Sequence, residues 1–65
     1  MDFEDSKTKI LEILKEGEKS STEISSIIKR DYYKTLEILG ELEQEGSVEK
    51  LNLGDKYTFW KLKNG

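Results

Sequence analysis

The sequence predicts a single α+β domain over residues 1–65, built from three helices followed by a two-stranded β-hairpin. Up to Gly46, apolar residues recur at helical spacing between recognisable start and stop signals. Beyond Gly46 the spacing changes to the alternation of strands around the turn NLGD. Neither a single amphipathic helix nor an isolated hairpin can bury its own apolar face, so the hairpin is expected to fold back over the helices. A chain of 65 residues supports one modest core of this kind.

The first helix is expected over about residues 6–16, with Ser6 as its cap, Ile10, Leu11, Ile13 and Leu14 as its apolar stripe, and Gly17 as a left-handed stop. SSTEISSII opens the second, over about 20–29. Ser20 and Glu23 have the spacing of a capping box, and Ile24, Ile27 and Ile28 are assigned to one face. Lys29 and Arg30 form a turn without Gly or Pro, and Asp31 caps a third helix over about 31–45 that stops at Gly46. Its inner face is read as Tyr32, Thr35, Leu36, Leu39 and Leu42, with Ile38 on the flank. The hairpin occupies about 47–63, with Val48 in its first strand and Thr58, Trp60 and Leu62 alternating in its second. The expected core is therefore Ile10, Leu14, Ile24, Ile27, Ile28, Leu36, Leu39, Leu42, Val48, Trp60 and Leu62, with Tyr32 beside it.

Composition narrows the function. There is no Cys and no His, hence no thiolate or imidazole for nucleophilic catalysis, no disulfide and none of the usual soft metal ligands. Acid groups such as Glu16 with Glu18, or Asp2, Glu4 and Asp5, read as solvated surface rather than as a cation site. No enzyme, no cofactor and no metal are expected. No apolar run approaches the ~20 residues of a membrane span, and the acidic start MDFEDSK is unlike a signal peptide, so the expected location is the cytoplasm. Abundant Lys and Glu, with Ile and Leu as the main apolar mass, match the composition of hyperthermophile proteins. The net charge of −3 is unevenly divided. Residues 1–46 hold 7 Lys+Arg against 12 Asp+Glu, whereas residues 47–65 hold 4 against 2, a basic tail on an acidic body.

With these elements in order, LEILGELEQEGSVEKLNLGDKYTFWKL resembles the segment of winged helix-turn-helix regulators in which a leucine-spaced helix ends at glycine, an apolar residue opens the first wing strand and an aromatic-rich strand returns. SSTEISSII is similar to the short helix before it, and the likeness extends over nearly the whole chain, with archaeal and small viral regulators nearest in composition. The resemblance implies a sequence-specific regulator of transcription that binds double-stranded DNA as a homodimer, with the third helix in the major groove and the hairpin wing on the backbone. It places Tyr33, Lys34 and Glu37 toward base edges, Lys29 and Arg30 near phosphates, and Lys50, Lys56, Lys61 and Lys63 on the wing.

Two features of the residues leave alternatives open. Glu37, Glu41 and Glu45 follow at i, i+4 and i+8, a column of like charges that costs an isolated helix about 0.2–0.5 kcal/mol per adjacent pair. Glu45 lies about 18 Å along the axis from Tyr33, so only Glu37 need approach bases, where a carboxylate accepts from a cytosine amine. Alternatively the acidic helix docks a basic protein, and the chain is an interaction module of a larger protein. Tyr57 and Phe59 alternate with Trp60, so they point away from whichever face it buries. They suit self-association, a partly covered sheet face, or stacking on bases.

Overall fold

The computed structural model describes residues 3–52 and 58–63. In chain order the elements are α1 (Phe3–Leu14), β1 (Lys19–Ser20), α2 (Ser21–Ile28), α3 (Tyr32–Gln44), β2 (Val48–Asn52) and β3 (Thr58–Leu62). The three helices pack against one face of an antiparallel sheet of order β1-β3-β2. The expected hairpin is therefore present but is part of a three-stranded sheet. β1 is only two residues long, pairing Lys19 with Trp60 and Ser20 with Phe59, too short to show an alternation pattern.

The helix boundaries follow from local hydrogen-bonding chemistry in two of the three cases. At α2 the Glu23 N–H donates to Ser20 Oγ and the Ser20 N–H donates to Glu23 Oε1, both at 3.1 Å, which is the expected capping box. At α3 the Lys34 N–H donates to Asp31 Oδ1 at 2.8 Å, and the Thr35 hydroxyl donates to the Asp31 carbonyl at 2.9 Å. The far end of α3 closes with the Ser47 N–H donating to Leu42 O and the Gly46 N–H to Glu43 O, around Gly46 at φ +79°. Such a closure needs a left-handed residue, and glycine adopts it without strain. Gly17, at φ +133°, ends the turn after α1 in the same spirit.

α1 departs from expectation. It begins at Phe3, so Ser6 is inside the helix instead of capping it; the residue is fully buried, and its Oγ has no hydrogen-bond partner among the described residues. Asp5 falls in the first turn, where negative charge favours a helix N-terminus and suits a start upstream of the apolar stripe.

The core consists of Ile10, Leu14, Ile24, Ile28, Ile38, Leu39, Leu42, Val48 and Trp60, with Leu11, Ile13 and Leu62 packed at its edge. Three expected residues, Ile27, Leu36 and Tyr32, are not in it. Ile27 is 42% exposed because it stands about 100° around α2 from Ile28, and eight residues give that helix only a narrow inner face. Tyr32 is likewise 42% exposed: the buried face of α3 is Thr35, Ile38, Leu39 and Leu42, turned toward Ile38, which leaves Leu36 half-buried and Tyr32 outside. Trp60 ties sheet to helix. Its Nε1–H donates to Ser21 Oγ at 2.8 Å, so the indole is buried without an orphaned donor.

Candidate nucleic-acid interface

Turning the inner face of α3 toward Ile38 decides what the helix shows to solvent. The outward stripe is Tyr33, Glu37, Gly40 and Gln44, spaced i, i+4, i+7 and i+11. Tyr33 stands at its front, 80% exposed, with the Tyr32 ring edge-on to it at 5.7 Å. Lys34 Nζ lies 3.5 Å from Glu37 Oε1, both side chains exposed. The cations preceding the helix arrive through a sharp turn: Lys29 has φ 59° and ψ 44°, and its N–H and that of Arg30 both donate to Ser25 O. Lys29 is exposed and Arg30 half-buried. The fold thus gathers Lys29, Arg30, Tyr33, Lys34 and Glu37 around the α2–α3 turn and the first two turns of α3.

The wing cations are more scattered. In the β2–β3 ladder Lys50 is opposite Trp60, whereas Lys61 is opposite Glu49, with Nζ 3.9 Å from Glu49 Oε2. Directly paired residues share a face and neighbours along a strand alternate, so Lys50 and Lys61 project from opposite sides of the wing. Lys63 follows β3 and is exposed, its N–H held by Ser47 O. Phe59 is half-buried opposite Leu51, on the sheet face away from Trp60. Lys56 and Tyr57 lie outside the described residues.

The acidic column divides into two parts. Glu37 meets Lys34 of its own helix, but Glu41 and Glu45 face Lys7 of α1, whose Nζ is 3.8 Å from Glu41 Oε1 and 2.6 Å from Glu45 Oε2. The Lys7 side chain is only 12% exposed. Glu41 and Glu45 therefore join α3 to α1, and the cation between them also offsets the unfavourable position of Glu45 at the carbonyl end of the helix. Lys7 is the residue that sequence reasoning missed. It is 38 positions from Glu45, and no local pattern connects the two.

Glu23, in the capping box of α2, has its carboxyl held below the usual glutamate value by the Ser20 N–H it accepts. No enclosed pocket occurs among the described residues, nor any group of three or more side chains suited to hold a metal ion. No helix among them is long and apolar enough to cross a membrane.

Two solved structures of ZitR from Lactococcus lactis, a single-mutant and a double-mutant form, superpose on this chain with a TM-score of 0.82 at 17% identity. In both, the match covers 89% of this chain and 41% of the other. The fold is a winged helix. At that identity the likeness speaks for the fold alone, and this chain spans less than half the length of ZitR. No protein-family model matches the sequence, and no curated protein does.

Proposed function

We propose that this winged helix is a non-enzymatic, DNA-binding regulator of transcription that inserts the first two turns of α3 into the major groove of duplex DNA. The observation that carries this reading is the exposed front of α3, with Tyr33 projecting and Lys29, Arg30 and Lys34 around it. Cations flanking a protruding helix N-terminus suit phosphates on either side of a groove, and Tyr33 and Glu37 are left to meet base edges. Lys50, Lys56, Lys61 and Lys63 are the wing cations proposed to meet the adjoining backbone; because Lys50 and Lys61 project from opposite sides, the edge of the wing rather than one of its faces would have to approach it. The Lys- and Glu-rich composition supports an archaeal, thermophilic origin, and DNA as the partner implies action in the cytoplasm.

The competing idea, an acidic third helix that docks a basic protein, loses part of its footing to Lys7, which already engages two of the three acids. Titration of fluorescent duplex DNA by anisotropy at two salt concentrations tests the proposal. Binding through several cations must weaken steeply with added salt, whereas absent binding, or a response indifferent to salt, defeats it. As a homodimer the protein would meet two half-sites about 34 Å apart, and Phe59 together with Tyr57 is the proposed self-contact. Changing both to Ser should then lower the sedimenting mass; a monomeric parent removes that part of the proposal.

A further inference from the structure

Two residues are poorly suited to the backbone positions they occupy, and both lie along the face proposed to meet DNA. Gly40 is the ninth of the thirteen residues of α3, in mid-helix, where glycine is the least favourable residue after proline. Nothing among the described residues requires it. A Cβ built there meets no described atom within 4 Å beyond the backbone of its own helix, and its conformation is helical, unlike the left-handed Gly17 and Gly46. Alanine would fit and would strengthen the helix. Lys29 shows the opposite mismatch, a side chain carried in the left-handed region where glycine is at ease. Positions where local preference is overridden without a gain to the fold are where contact with something outside the fold is expected.

Gly40 shares the outward stripe with Tyr33 and Glu37, two turns and one turn ahead of it, about 10 Å and 5 Å along the axis. A helix with its side chains is about 10–12 Å across, nearly the ~12 Å width of the major groove, so a missing side chain on the leading face lets the backbone seat deeper. The same helix begins beside Lys29, Arg30 and Lys34, a charge pattern complementary to a polyanion.

We propose that Gly40 is a close-approach point at which the α3 backbone seats against base edges of duplex DNA, and that Lys29 is kept in its strained turn to hold a phosphate. This deepens the DNA-binding reading and rests on it. The footprint of α3 then runs about two turns beyond Tyr33, past the front cluster.

The test compares Gly40→Ala, Lys29→Gly and the parent chain in two measurements: thermal unfolding, and anisotropy with a duplex that the parent recovers from a randomised pool. Gly40→Ala should melt about 4 to 8 °C higher, the shift that recovering a full helix-propensity difference gives in a domain of this size. It should nonetheless bind the recovered duplex at least about fivefold more weakly, the smallest loss usual for one spoiled base contact. Lys29→Gly should also melt higher and should lower the salt slope by about 1, as loss of one phosphate contact requires. If the parent recovers no duplex, the DNA-binding reading fails and this inference fails with it. If the parent binds and Gly40→Ala binds equally well, or melts lower, the close-approach role alone is overturned. An unchanged salt slope in Lys29→Gly overturns the phosphate role in the same way.

Discussion

Along α3, the first two turns and the last two carry similar charges but direct them differently. At the front, Lys34 and Glu37 meet each other across the surface of one helix, both exposed, next to a protruding Tyr33. At the back, Glu41 and Glu45 face a cation from another helix, the largely buried Lys7. The front pair lies within one helix, whereas the back charges join α3 to α1. A run of glutamates that looks uniform in sequence thus has two roles, and net charge along a helix is a poor guide to which part of it is free to meet a partner.

The largest expected effect sharpens the contrast between the inner and outer faces of the same helix. Leu39 is fully buried in the core, and Leu39→Ala should destabilise the domain by about 2–5 kcal/mol in urea unfolding, a large share of the stability of so small a protein. Tyr33→Ala, on the outer face, should stay within about 0.5 kcal/mol of the parent. Equal losses at the two positions would mean that the front of α3 is packed against something and is not presented to solvent.

A smaller effect separates front from back. A double-mutant cycle between Lys7→Ala and Glu45→Gln should show a coupling of up to about 1 kcal/mol that shrinks with added salt, since Glu45 is half exposed. The corresponding cycle between Lys34 and Glu37 should lie nearer the ~0.3–0.5 kcal/mol of a surface pair within one helix. A reversed order would undo the division of roles along α3.

The smallest is a pH effect away from both ends. Glu23 titrates below its ordinary value of 4.5 in the folded protein because its carboxylate accepts the Ser20 N–H. A depressed folded value means that its contribution is fully present above that ordinary value and is lost as pH falls through the folded one. Stability of the parent should therefore decline on acidification below about pH 4.5, and Glu23→Gln should show a shallower decline over the same window. Parallel declines would assign the acid sensitivity to other carboxylates.

What could be read in the sequence and what could not divides by distance along the chain. The capping box of Ser20 and Glu23, the Asp31 cap and the glycine stops at 17 and 46 are interactions within a few residues, and the residue types alone disclose them. The outlines of α2, α3 and the β2–β3 hairpin follow. Contacts between distant segments were not legible: the pairing of Lys19 and Ser20 with β3, the Trp60–Ser21 hydrogen bond and the reach of Lys7 to Glu45. The rotation of α3 that exposes Tyr32 and buries Ile38 belongs with them, because a run as rich in apolar residues as YYKTLEIL permits either face, and packing against the other elements selects one. Of the candidate site, the cluster of Lys29, Arg30, Tyr33, Lys34 and Glu37 could be anticipated. The dispersal of Lys50 and Lys61 to opposite sides of the wing required the strand register.

The central claim, that the charges at the front of α3 meet DNA while those at its back serve the fold, is tested most directly by the salt dependence of duplex affinity in Arg30→Ala, Lys34→Ala and Glu41→Gln. Each of the first two should bind more weakly and lower the salt slope by about 1, as removal of one phosphate contact requires, while Glu41→Gln should change affinity little. Flat responses at Arg30 and Lys34, or a response confined to Glu41, would contradict it.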